Sequence, residues 1–142
     1  MKETIKAEEG EVFDIELNLD ILKANKKLAE ENLKLLQKNG VKAIDIMGAI
    51  GSGKTSLIEK LVEALKDKYR IAAFKGDLTT TIDAEQIAKH GVEVVPINTG
   101  KECHLDANLV RKALQRLDLT KIDLLFIENV GNLICPAEFP LG

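Results

Sequence analysis

Gly48-Ala49-Ile50-Gly51-Ser52-Gly53-Lys54-Thr55 is the stretch on which the reading of the fold turns. It satisfies G-x-x-x-x-G-K-[ST] at every fixed position. An apolar run, residues 41–47, precedes it, and a helical pattern with Leu57, Ile58, Leu61, Val62 and Leu65 on one face follows it. Strand, glycine-rich loop and helix in that order make a phosphate cradle. The glycines let successive N–H groups curl inward, and the helix N-terminus adds partial positive charge. Residues 48–56, closing with Ser56, are therefore the expected nucleotide-binding segment. Within it Lys54 is expected to reach the β and γ phosphates of a purine triphosphate, and the Thr55 hydroxyl to ligate Mg²⁺. A chance glycine-rich turn is the competing reading, but the flanking strand and helix are those the mechanism needs.

Downstream the same alternation continues. Apolar runs at 70–74, 92–98 and 122–127 are separated by helical patterns at 83–90 and 106–117. That order predicts an α/β fold, a P-loop NTPase with a mainly parallel sheet flanked by helices. Upstream, residues 18–39 carry Ile21, Leu22, Leu28, Ala29, Leu33, Leu35 and Leu36 among polar residues, an amphipathic helix that Asn18 or Asp20 can cap and Gly40 can end. Residues 1–17 read as a loose N-terminal leader with a weak extended candidate at Val12-Phe13-Asp14-Ile15. The P-loop domain spans 18–142, with no repeat or low-complexity linker to mark a second one.

At 142 residues the chain is the size of a single domain. Its 20 Lys and Arg are scattered among 23 Asp and Glu for a net charge of −3, so nucleic acid is not an expected partner. No apolar run is long enough to span a bilayer, and the N-terminus has no apolar signal core, which makes the cytosol the expected location and excludes a membrane partner. In that reducing compartment Cys103 and Cys135 are expected as free thiols or metal ligands.

Asp123-Leu124-Leu125-Phe126-Ile127-Glu128 is an apolar strand ending in a carboxylate, the layout that brings an acid to Mg²⁺ directly or through water; a solvated strand end is the alternative. Gly131, three residues on, can bring a backbone N–H to the γ-phosphate. Asp77 and Asp83, with Thr79, Thr80 and Thr81 between them, follow an earlier strand at the sheet edge where open α/β sheets bind ligands. Both acids are candidates for holding magnesium-bound waters or the attacking water, and Asp83 reads equally as a helix N-cap. Cys103-His104 and Cys135 fall after strands at the same edge. Two thiolates and an imidazole suit zinc or nickel, with water or a second copy of the chain completing the set. Placed after the γ-phosphate loop, such a site could be coupled to nucleotide state. The alternative is two buried small hydrophobes and a surface histidine.

The stretches Gly76-Asp77, Asp83-Ala84-Glu85, Asn98-Thr99-Gly100-Lys101-Glu102-Cys103-His104-Leu105-Asp106-Ala107 and Glu128-Asn129-Val130-Gly131-Asn132-Leu133-Ile134-Cys135-Pro136, behind the P-loop, closely resemble HypB. That is the hydrogenase maturation GTPase family, related to the urease accessory GTPase. The resemblance implies a GTP hydrolase that assists nickel insertion and forms a homodimer carrying nickel or zinc at Cys103, His104 and Cys135. It also implies that Asp77, Asp83 and Glu128 surround Mg²⁺ and the hydrolytic water. A companion nickel-delivery protein and the hydrogenase large subunit would be its partners.

Two departures stand out. The N-terminal cysteine motif and His-rich tract of many members are missing. The Asn-Lys-x-Asp motif that reads guanine is also not reached before Phe139-Pro140-Leu141-Gly142, and Asn25-Lys26-Lys27-Leu28 lacks the Asp. The domain is therefore expected to be incomplete at its C-terminus, with one sheet edge uncovered. A P-loop small-molecule kinase is the runner-up, although Arg70, Arg111 and Arg116 form no lid-like cluster. The third reading is a non-catalytic metal-binding dimerisation module.

Overall fold

Each of the four apolar runs becomes a strand. The computed structural model describes residues 4–6, 18–48, 53–77, 82–99, 105–130 and 140–142. The elements are β1 (Ile5–Lys6), α1 (Asn18–Lys38), β2 (Lys42–Ile46), α2 (Lys54–Leu65), β3 (Ile71–Asp77), α3 (Ile82–Ala88), β4 (Glu93–Asn98), α4 (Ala107–Leu114), a 3-10 turn at Leu119–Lys121, and β5 (Leu124–Glu128). The sheet order is β1-β4-β3-β5-β2, and every neighbouring pair is parallel.

Parallel strands need long crossovers, and helices in those crossovers cover both faces, which is why the central strands read as continuous apolar runs instead of alternating ones. On one face Phe74, Val95, Leu125 and Ile127 pack with Leu36 of α1 and Leu109, Val110 and Leu114 of α4. On the other, Ala73, Val94 and Phe126 pack with Ile58 and Val62 of α2 and Ala84 and Ile87 of α3. Phe74 and Phe126 are both fully buried, one on each face, and each contributes on the order of 2–3 kcal/mol of apolar burial. β2 lies at an edge of the described sheet with Ile44 half-exposed. Among the described residues no helix is long and apolar enough to cross a membrane.

Leu57, expected on the apolar face of α2, is exposed, and the buried residues of that helix are Ile58 and Val62; three further details differ from the sequence reading. Ile5 and Lys6, read as part of a loose leader, pair with Ile97 and Asn98, because a buried Ile5 extends the apolar face of β4; Val12 to Ile15 lie outside the described residues. Asp83 is the second residue of α3 and not the residue before it, so it does not occupy the N-cap position of that helix. The third concerns α1, whose expected stripe included Leu33 and Leu35. Both are exposed, and the buried face is Asn25, Ala29, Asn32 and Leu36.

The two asparagines are inside because they satisfy backbone that would otherwise be orphaned. Asn25 Oδ1 accepts from the Ala107 N–H at 2.8 Å, at the start of α4, and Asn25 Nδ2 donates to the Pro140 carbonyl at 2.8 Å. Asn32 Nδ2 donates to the carbonyls of Ala107 at 3.0 Å and Leu141 at 2.7 Å. Hydrogen bonds of this kind offset the cost of burying an amide, and these fasten residues 140–142 to α1.

Gly76, near the end of β3, is required by close approach. A Cβ there would stand 2.9 Å from the Glu128 carbonyl oxygen and 3.1 Å from Leu105 Cγ. Gly76→Ala is expected to lose about 1–3 kcal/mol by overpacking, read as a lower urea midpoint with unchanged slope; an unchanged midpoint would contradict the packing described.

Candidate functional site

At the C-terminal edge of the sheet the start of α2 meets the ends of β5 and β3. Gly53 takes a left-handed conformation, φ 91° and ψ 19°, which turns the chain from the phosphate loop into α2. In the first turn of α2, Lys54 Nζ donates to the Gly48 carbonyl at 3.0 Å. Burial holds the Lys54 ammonium below its ordinary pKa; the Glu128 carboxylate opposes this and the Lys75 ammonium adds to it. The Thr55 hydroxyl donates to Glu128 Oε1 at 2.7 Å.

Glu128, the last residue of β5, is 2 % exposed. Its register partner on β3 is Lys75, whose Nζ lies 3.2 Å from the same Oε1 and also donates to the Gly76 carbonyl. One carboxylate oxygen thus ties three elements together. The other, Oε2, is buried and meets no hydrogen-bond partner among the described residues. A buried oxygen left over beside a threonine hydroxyl is a hard donor set of the kind Mg²⁺ takes, so these residues fit that ion.

On the opposite face of the sheet Asn129 continues the network. Its N–H donates to the Ile46 carbonyl at 3.0 Å, and its Oδ1 accepts from the N–H groups of Leu105 at 3.0 Å and Val130 at 2.9 Å. Leu105 directly follows Cys103-His104 in the chain, so Asn129 joins the end of β5 to the segment bearing two of the expected metal ligands. Desolvation pushes the Asp45 carboxyl on β2 up to about 6, partly offset by the Asn129 amide.

The structure brings together Gly48, Lys54, Thr55 and Glu128, with Gly53 opening α2 and Ser56 exposed in its first turn. Asp77 ends β3 at the same edge, and Asp83 lies in the first turn of α3. Ala49, Ile50, Gly51, Ser52, Gly131, Cys103, His104 and Cys135 lie outside the described residues. Lys75 and Asn129 join the site without a motif of their own in the sequence. The available signal for Lys75 was a lysine continuing an apolar run toward Gly76-Asp77, where a buried cation demands a buried acid on the neighbouring strand.

Residues 42–140 match the family model described as CobW/HypB/UreG, nucleotide-binding domain. The chain is 66 % identical over 128 residues to a probable hydrogenase maturation factor HypB of Methanocaldococcus jannaschii, covering 90 % of this chain and 58 % of that protein. Among solved structures it is similar to HypB of Archaeoglobus fulgidus, with 48 % identity, a TM-score of 0.77 and coverage of 84 % of this chain and 58 % of the other. It is also similar to HypB of Helicobacter pylori in complex with nickel, with 39 % identity, a TM-score of 0.78 and coverage of 84 % and 56 %. The chain thus spans little more than half the length of these relatives.

Two outcomes follow from the electrostatics. Lys75→Met leaves the Glu128 charge buried without its ion-pair partner and is expected to cost about 3–5 kcal/mol, much of it recovered in Lys75→Met/Glu128→Gln; a double variant as unstable as the single one would contradict the pairing. The folded-state pKa of Asp45 is raised from 3.8 to about 6, so the folded chain binds more protons in that window and stability falls as pH rises through it. Asp45→Asn is therefore expected to raise Tm at neutral pH, by on the order of 2 °C given partial solvent screening, and to change little below the unfolded pKa. Melting curves at both pH values check the sign.

Proposed function

The chain belongs to the CobW/HypB/UreG family of nucleotide-binding domains, and on that premise we propose that it is the nucleotide-switch portion of a maturation factor that binds and hydrolyses GTP to time the delivery of nickel to a hydrogenase. The observation that carries this reading is the Thr55–Glu128 bond behind the P-loop, with Glu128 Oε2 left over for a hard cation. Thr55 and Glu128, directly or through water, would hold Mg²⁺, whose charge offsets that on the β and γ oxygens.

In the proposed reaction the Lys54 ammonium leaves the Gly48 carbonyl for the β and γ oxygens. The backbone N–H groups of residues 48–56 would supply donors to the remaining phosphate oxygens. Asp77 and Asp83 would position the attacking water in line with the bond between Pγ and the β–γ bridging oxygen. As the water oxygen bonds to Pγ, that bond breaks, GDP keeps the electron pair, the water proton passes to the departing inorganic phosphate, and Lys54 stabilises the developing charge. Lys75 holds the Glu128 carboxylate in place throughout.

Nickel is the cargo in this reading, held by Cys103, His104 and Cys135, with a second copy of the chain supplying further ligands across a two-fold axis. Zinc is the competing occupant. Loss of the γ-phosphate would release Gly131 and, through the segment leading to Cys135, change the cargo site. A companion nickel-delivery protein and the hydrogenase large subunit would be the partners, in the cytosol.

Lys54→Ala is expected to weaken GTP binding by roughly 10- to 100-fold, the loss of one charge-assisted contact, measured by fluorescence of a labelled GTP analogue. Size-exclusion with light scattering tests the switch. A dimer that requires nickel and the GTP analogue, and is lost in Cys103→Ala, supports it; a monomer under all conditions contradicts it. A nickel dimer indifferent to nucleotide would instead favour a non-catalytic metal-binding module.

A further inference from the structure

Away from the nucleotide site, three metal-binding side chains converge between the two helices on one face of the sheet. Glu59 and Glu63 are one turn apart on α2 and so lie one above the other on the same side of the helix. His90 sits two residues past α3, just before Gly91, and its ring turns back toward α2. His90 Nε2 lies 2.9 Å from Glu59 Oε1 and 3.5 Å from Glu63 Oε1. One donor atom from each of the three residues falls within 4.8 Å of the others.

From this convergence we propose that Glu59, Glu63 and His90 form a site for a divalent transition cation of the zinc type, pinning α2 to α3. Two of the three separations, those from His90 Nε2 at 2.9 and 3.5 Å, are those of ligands around a single ion, and small side-chain rotations bring the third, within 4.8 Å, into the same range. Donors at about 2.0–2.2 Å from a cation stand roughly 3.0 Å apart in octahedral and 3.5 Å apart in tetrahedral coordination. One imidazole nitrogen carries at most one proton and cannot direct it well at two carboxylates, whereas a cation in its place engages all three groups. Imidazole with two carboxylates suits zinc, cobalt or nickel better than magnesium or calcium.

The site is reachable. Glu63 is 56 % exposed, and His90 also borders a cavity of about 530 Å³ between the end of α2 and the N-terminal ends of β3 and β4, away from Lys54 and Glu128. One competitor stands nearby: Lys89 Nζ lies 3.1 Å from Glu59 Oε1, so an ammonium already uses part of the charge a metal would take. This gives the proposal a sign that a plain ion-pair network does not share. Removing Lys89 weakens an ion-pair network but frees a carboxylate oxygen for a metal.

The experiment is calorimetric titration of zinc chloride into the chain carrying Cys103→Ser, His104→Ala and Cys135→Ser, which removes the proposed cargo ligands. One zinc equivalent is expected to remain. Adding His90→Gln or Glu63→Gln is expected to weaken it at least tenfold, and adding Lys89→Gln to tighten it. Cobalt in the same background is expected to give visible absorption without the near-ultraviolet band of thiolate ligation. No zinc uptake in that background, uptake unaffected by His90→Gln, or weakening by Lys89→Gln would each overturn the assignment. Lys89 is an exposed surface residue, so its variant keeps the test decisive even if a His90 variant folds poorly.

Discussion

The Glu128 carboxylate is the constraint around which the edge of this sheet is organised. A carboxylate 2 % exposed is tolerable only with compensation, and it receives a hydroxyl from Thr55 and an ammonium from Lys75 on the same oxygen. These partners come from α2 and β3, so satisfying one buried charge fixes where the P-loop helix starts relative to two strands. A buried pair of this kind adds little net stability over an apolar one, and its value is positional. The arrangement leaves Oε2 without a hydrogen-bond partner among the described residues, beside the start of the helix that follows the G-x-x-x-x-G-K-T motif.

A second polar network works in the same way on the opposite face. Asn129 links β5 to β2 and to Leu105, while Asn25 and Asn32 link α1 to the start of α4 and to residues 140–142. Each amide answers backbone groups that no regular element could pair. Around them the apolar layers are simple, with large residues such as Phe74 and Phe126 filling the two faces. The packing holds the sheet together, and the polar bonds decide how its C-terminal edge is laid out.

The alternation of apolar runs and helical patterns was enough to locate β2 to β5 and all four helices, because a parallel sheet covered on both faces leaves a strong periodic signal. Lys54, Thr55 and Glu128 were legible because the P-loop motif fixes two of them and strand-end position the third. Lys75 was not, since its burial depends on which strand pairs with β5, a matter of register that composition does not carry. Nor was the buried face of α1. Periodicity rewards apolar residues, and Leu33 and Leu35 scored while Asn25 and Asn32, which do the packing and bonding, did not. The two-residue β1 was too short to give any period at all.

In the proposed function Thr55 and Glu128 form the magnesium end of a nucleotide site. Calorimetric binding of GTP with magnesium and with EDTA, to the chain and to Glu128→Gln, tests it most directly. Magnesium is expected to tighten binding to the unsubstituted chain, and this gain is expected to be lost in Glu128→Gln while metal-free binding is retained. An equal magnesium gain in both proteins would contradict it.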